Sequence, residues 1–304
     1  MAWTVDVAFV HAFEATIYTL SQEMGEMWRS AVRIRSGIKG KTFNVERLQG
    51  VEAVQILSRH ADTDLTPFIH TRRRLTLADF GLSEMIDDID EVKMLISPEN
   101  DYARNFAYAY NRQTALTITT AMLGSALSVS AADAVTSVAL PSGQAIANGG
   151  TNMTIAKLRQ AYRILDVNGV RTEGRHIAVS PFAIEKLLSD SQVTSADFSS
   201  LQALMTGTIK EGAIYMGFQW LKVTDALGGG TTMASPILPK SGNIRTCIAW
   251  QRDAVTANLA RDFNTEMVRD PGKWNNLRII VKFVQGAVRV EDEAVVSIGI
   301  DESA

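Results

Sequence analysis

Cysteine is almost missing from the 304 residues: Cys247 is the only one, so no internal disulfide can form. It stands in "NIRTCIAW", a strand-like run where a small apolar residue suffices, and reads as a buried inert thiol rather than a nucleophile. Histidine is nearly as scarce, with His11, His60, His70 and His176 scattered along the chain. His60 and His70 share a polar stretch with Asp62 and Asp64, but that spacing matches no established metal site. There is no Gly-x-Ser-x-Gly elbow, no Gly-x-Gly-x-x-Gly after a strand and no His-Glu-x-x-His. The triple glycine of "GGGTTMASPILPKSGN" is not followed by a helix with Lys-Ser or Lys-Thr, so it is not a phosphate cradle. Positive charge is not in excess either. A net charge of −3 argues against a dedicated nucleic-acid binder. The N-terminal apolar stretch carries Asp6, His11 and Glu14 and lacks a basic start, so neither a signal peptide nor a membrane anchor is expected. These absences remove the positive reasons to propose an enzyme. A carboxylate-and-histidine metalloenzyme stays open as a second hypothesis.

What is present is ordinary globular composition, with 46% hydrophobic and 21% charged residues, in a chain long enough for one large or two modest cores. Val10, Phe13, Ile17, Leu20, Met24 and Met27 recur at steps of three and four, which predicts an amphipathic helix over 6–31. Next comes "RSAVRIRSGIKGKTF", basic throughout with Arg29, Arg33, Arg35, Lys39 and Lys41. It is either a solvated face or the seat of an anionic partner. Residues 42 to about 80 read as two strands around the polar excursion "SRHADTDLTPFIHTRRR". The return strand, "RRLTLADFGL", alternates less cleanly than a half-buried strand should. A long exposed hairpin fits, and excursions of this length usually have a function.

The acid-rich "DDIDEVKMLISPENDYA" at 87–103 allows two readings, a metal site or the approach to a helix. As a calcium loop it fails, because no glycine stands at the turn position and no carboxylate closes the loop at the twelfth. No histidine lies near enough to make a transition-metal set. Ser97 as N-cap, Pro98 at the first helical position and acids in the first turn instead open a helix running to Gly124. Tyr102, Phe106, Ala109 and Tyr110 form one stripe of it; Ala103, Ala107, Thr114 and Ile118 continue beside. A second helix, "MTIAKLRQAYRILDVNG", turns Ile155, Leu158, Tyr162 and Leu165 to the core and stops at Asn168-Gly169. "RHIAVSP" is a strand, Ser180-Pro181 opens a short helix, and strands fill the rest. The expectation is an α+β fold with no cofactor and no metal.

Taken in order, "TRRRLTLADFGLSEMIDDIDEVKML" running into "DYARNFAYAYNRQTALTITTAMLG", then "GFQWLKVTDAL", then "EMVRDPGKWNNLRIIVKFVQGAVRVEDEAVVSI", resemble the major capsid proteins of tailed bacteriophages. That fold is shared with herpesvirus capsid floors and encapsulins. The resemblance implies an N-terminal arm over 1–41, an extended loop over 42–80 and a spine helix over 97–123. It also implies a peripheral domain over 81–150 and 263–304, and an axial domain over 151–262. It implies no catalysis, but self-assembly into pentamers and hexamers of an icosahedral head in the virion, built in the host cytoplasm. Scaffolding, portal and cement proteins would be partners, packaged DNA would be touched only non-specifically, and no membrane is involved. An encapsulin-like shell is the alternative within that class. Candidate contacts between subunits are Arg33, Arg35, Arg59, Arg72, Arg73 and Arg74 and the acids Asp87, Asp88, Asp90 and Glu91. Some shells of this family are welded between a lysine of the extended loop and an asparagine of a neighbour. Here no lysine falls between Lys41 and Lys93. Arginine stays protonated and cannot attack an amide, so a non-covalent shell is expected.

Overall fold

The structure is a computed structural model that describes residues 26–37, 40–53, 55, 65, 67–86, 99–130, 133–189, 214–274 and 276–303. A 3₁₀ turn, Glu26–Trp28, leads into β1 (Arg33–Ser36), β2 (Thr42–Leu48), β3 (His70–Thr76) and β4 (Ala78–Ile86). Helix α1 (Glu99–Leu123) follows, then β5 (Ala126–Val129), β6 (Val135–Val138), β7 (Ala145–Ile146), α2 (Ile155–Val167), β8 (Arg175–Val179) and α3 (Pro181–Ser189). The second half is strand: β9 (Ile214–Tyr215), β10 (Phe218–Lys222), β11 (Ala226–Gly228), β12 (Thr231–Thr232) and β13 (Lys240–Ser241). It ends with β14 (Ile244–Gln251), β15 (Val255–Arg261), β16 (Thr265–Asp270), β17 (Asn276–Arg289) and β18 (Val295–Asp301).

One body is a seven-stranded sheet in the order β7-β18-β14-β8-β10-β9, with β13 added on β14. Alternation sorts its side chains onto two faces. Ile177, Val179, Cys247 and Ala249 meet α2 and α3 through Leu158, Leu165, Ala183 and Leu187. Ala178, Ile248 and Trp250 point the other way, onto Ala115, Ile118 and Met122 of α1. Helix α2 starts where Thr154 accepts the Lys157 backbone N–H and stops at Gly169, in the left-handed region with φ 68°. Lys157 then ties α2 to the sheet. Its ammonium donates to the carbonyls of Asn148, Thr151, Asn152 and Gly299 at 2.8–3.0 Å.

The other body is organised by β17. β15 and β16 follow one another along one edge of it, β4 lies along the opposite edge, and β1 adds parallel to β15. Helix α1 lies over this sheet. Tyr102 and Phe106 pack on Ile86, Leu277 and Ile279, and Tyr110 packs on Val281 and Phe283. Polar bonds fix the register: Thr114 Oγ1 donates to Gln285 Oε1 at 2.8 Å, and Gln285 Nε2 donates to Thr117 at 3.1 Å. A third, four-stranded sheet, β2-β3-β5-β6, carries the predicted hairpin, with β2 and β3 antiparallel from Thr42↔Thr76 to Leu48↔His70.

Two expectations are corrected. The return strand of the hairpin is two strands, because the chain changes sheets at Leu77, between β3 and β4. Inward residues are odd before the change (Arg73, Leu75) and even after it (Phe80, Leu82, Ile86), which explains the poor alternation. The corner is tight: a Cβ on Gly286 of β17 would lie 2.3 Å from the Thr76 carbonyl oxygen, so only glycine fits. The N-terminal helix expected over 6–31 lies outside the described residues up to 25, and 26–31 is a turn rather than helix. The chain there buries Trp28, Ala31 and Val32, with Trp28 stacked on Trp250 at 5.3 Å. Tertiary packing outweighs helical periodicity at that point. Strand β18, inside the stretch 263–304, pairs with β14 and packs under α2 in the seven-stranded body.

Candidate subunit-contact site

The root of the hairpin is held by charge. Strand β3 runs between β2 and β5, so its odd residues face inward. Arg73, 3% exposed, pairs there with the buried carboxylate of Asp292. The same carboxylate accepts Arg289 Nε at 2.6 Å. Arg289 reaches on, Nη1 donating to the carbonyls of Met122 and Gly124 at 2.6 Å and Nη2 to that of Val138 at 3.0 Å. Helix α1 has no basic residue in its own last turn, so this distant guanidinium supplies the cation that its C-terminal dipole favours. Arg47 of β2 completes the root, donating to the Val290 carbonyl at 2.6 Å. Burial, with Arg47 and Arg289 close by, pulls the Arg73 pKa below the ordinary arginine value, against the pull of Asp292. Hairpin, spine helix and β17 thus meet at one carboxylate.

A second clamp sits at the break between β15 and β16. Asp262 accepts the Tyr110 hydroxyl at 2.6 Å and Arg29 at 3.1 Å. Burial, followed by the bond to Asp262, raises the Tyr110 phenol well above its usual value.

The sequence-predicted residues fall into three groups. Arg33 and Arg35 are exposed on β1, and Arg72 is exposed on β3, paired across the strands with Glu46 at 3.4 Å. Arg74 is half-buried, its Nε 3.3 Å from Asn44 Oδ1. Arg73 is turned inward, so its charge is not offered to a neighbour. Alternation separates it from the two arginines beside it in sequence. Arg59, Asp87, Asp88, Asp90 and Glu91 lie outside the described residues, as do Ser97 and Pro98. Sequence reasoning missed Arg47, Arg289 and Asp292, since Asp292 and Arg73 are 219 residues apart. It also missed a set of exposed apolar side chains at the outer end of the hairpin: Leu48, Val51, Leu65, Phe68 and Ile69.

Among the described residues, no group of three or more His, Cys, Asp or Glu is placed to hold a metal ion, and no helix is long and apolar enough to cross a membrane. Cys247 is fully buried, and burial pushes its thiol up to about 12, so it carries no thiolate at neutral pH.

Residues 5–302 match the family described as phage capsid protein. The chain belongs to that family. No curated protein matches the sequence of this capsid protein. Its fold is found in a chain from Mycobacterium phage Che8 (TM-score 0.65, 17% identity, 96% of this chain and 97% of that one covered). It is found again in the capsid of Ralstonia phage GP4 (TM-score 0.70, 10% identity, 98% and 96% covered). The capsid asymmetric unit of Cyanophage Pam1 shares it too (TM-score 0.65, 11% identity, 100% and 99% covered). The capsid protein therefore has the α+β fold of tailed-phage major capsid proteins, and its role is structural, in the virion. Nothing in these matches supports the encapsulin-like alternative.

Proposed function

We propose that this capsid protein assembles with copies of itself into closed rings of five and six, and these into an icosahedral head around packaged DNA. Head-to-tail contacts generate rings when their rotation closes. The observation that carries the reading is the hairpin. Its root is fixed inside the subunit by Arg47, Arg73 and Asp292, while Leu65 at its outer end is 91% exposed and Leu48, Phe68 and Ile69 are exposed with it. An apolar set held out on an anchored element is covered by a neighbour. Arg33, Arg35, Arg59, Arg72 and Arg74 would then meet acids of adjoining subunits, the run Asp87, Asp88, Asp90 and Glu91 being the candidate, with charge fixing register more than affinity. Assembly in the host cytoplasm, with scaffolding, portal and cement proteins as further partners and DNA touched non-specifically, belongs to the same proposal.

Reversing Arg35 and Arg72, both exposed, together to glutamate tests the contact. Exposed pairs contribute about 0–1 kcal/mol, so the variant subunit should fold with a circular dichroism spectrum and urea midpoint close to wild type. It should form no shells by sedimentation. Shells of normal yield would leave these arginines as a solvated face.

The bonds between subunits are expected to be non-covalent. Lys41 lies at the root, its carbonyl accepting the Leu77 N–H at 3.0 Å, and Lys39 lies outside the described residues. Mature particles boiled in detergent should run as one band at the 33.2 kDa of the chain. A ladder of covalent oligomers would contradict this and make Lys39 and Lys41 the candidate nucleophiles.

A further inference from the structure

We propose that the root of the hairpin binds a small monovalent anion of the size and charge of chloride, held by Arg73 and Arg47. Three guanidiniums meet there, those of Arg47, Arg73 and Arg289. Among the described residues, the one carboxylate paired with any of them is that of Asp292. The root therefore carries an excess of positive charge. Arg289 uses all three of its nitrogens, on Asp292 and on the carbonyls of Met122, Gly124 and Val138. Arg73 does not. Its Nη2 reaches Asp292, but its Nε and Nη1, both shut off from solvent, have no hydrogen-bond partner among the described residues. Buried donors are nearly always satisfied, because each has given up its bonds to water. A water molecule would supply an acceptor and leave the excess charge unmatched. An anion lying against Arg73 supplies both.

The strand register sets the second cation beside the first. Arg73 of β3 stands opposite Val45 of β2, and Arg47 stands opposite Thr71, so the two arginines are diagonal neighbours on the inward face. Arg47 is held in place by Nε donating to Thr71 Oγ1 at 3.1 Å and Nη1 to the Val290 carbonyl at 2.6 Å. It is half-buried where Arg73 is buried, so the site opens to solvent on the Arg47 side. On the other flank Ser128 of β5 stands opposite Arg73 and adds a hydroxyl to the same face. The charge crowding also lowers the Arg73 pKa: burial is the largest cause, and Arg47 and Arg289 add to it against the pull of Asp292. Arginine stays protonated even so, and its charge has to be matched rather than lost. Leu75 and Val290 of the small core lie alongside, which favours a compact ion over a tetrahedral dianion that costs far more to dehydrate.

The test is urea unfolding of the full chain as sodium chloride replaces sodium gluconate at constant ionic strength, for wild type, Arg47→Gln and Arg35→Gln. An ion that binds only the folded subunit lowers the unfolding constant, by about tenfold when its concentration reaches about ten times its Kd. Wild type should gain stability in this way, and so should Arg35→Gln, whose arginine lies exposed on β1. Arg47→Gln should lose most of the gain, and comparing the three chains cancels general effects of the salts. Bromide soaked into crystals of the wild-type subunit should give an anomalous peak within hydrogen-bond reach of Arg73. If Arg47→Gln does not fold, the wild-type titration and the bromide map decide together. Equal wild-type unfolding in chloride and gluconate, a gain kept in full by Arg47→Gln, or no bromide at Arg73 would overturn the site and leave the idle nitrogens to water.

Discussion

Replacing Asp292 by alanine is expected to destabilise the subunit by about 3 to 5 kcal/mol, the range for removing one partner of a buried ion pair. Two guanidiniums depend on this carboxylate, Arg73 from the hairpin and Arg289 from β17. Neither can turn to water, since both side chains are buried. Arg289 would keep its three backbone carbonyls, whereas Arg73 would lose the only hydrogen-bond acceptor it has among the described residues. Domains of this kind are stable by about 5–15 kcal/mol in all, so such a loss removes a fifth of the margin or more. Urea denaturation of purified Asp292→Ala against wild type measures it. Arg72→Ala, which loses only the exposed pair with Glu46, is the control and should shift the midpoint little. An Asp292→Ala midpoint equal to that of wild type would mean that the hairpin root is held by packing alone.

Acid should weaken the fold through His176. The ring is buried in β8, stacked on Trp250 at 5.7 Å, and its Nδ1 has no hydrogen-bond partner among the described residues. Burial, with the positive charge of Arg252 added, lowers its pKa from 6.5 to about 4. The folded protein therefore keeps the imidazole neutral while the unfolded chain takes up a proton below pH 6.5. Stability from this group is complete above pH 6.5, falls between 6.5 and about 4, and changes no further below that. At 1.36 kcal/mol for each pH unit between the two values, the loss reaches about 3 kcal/mol. His176→Phe keeps a ring against Trp250 and cannot titrate. The difference between wild-type and variant stability, followed from pH 7.5 to 4, should change by about that amount. A flat difference would show that His176 is protonated as easily in the folded subunit as outside it.

Local signals made the helices legible. The Tyr102–Phe106–Tyr110 stripe and the stop at Gly124 mark α1, and Thr154 and Gly169 bracket α2. A Cβ on Gly124 would lie 2.7 Å from the Thr120 carbonyl oxygen, so the residue that ends the stripe is also one that geometry requires. Long-range geometry was not legible. The inward set of the hairpin's return strand switches from odd to even at Leu77, and a period-two pattern read across that corner averages two faces into none. Strand β18 looks like the end of the β17 system, yet it crosses to pair with β14, which no local pattern announces. Arg72, Arg73 and Arg74 read as one basic cluster. The pleat divides it, sending the middle guanidinium to a carboxylate 219 residues away.

The most direct measurement is electron microscopy of the full-length chain, purified alone and brought to assembly conditions. Closed shells of uniform diameter, with the hairpin of each subunit lying on a neighbour and Leu65, Phe68 and Ile69 covered, are the expected result. A chain that stays monomeric under every condition, or a particle map in which the hairpin apolar residues remain in solvent, would contradict the reading of this protein as a self-assembling shell subunit.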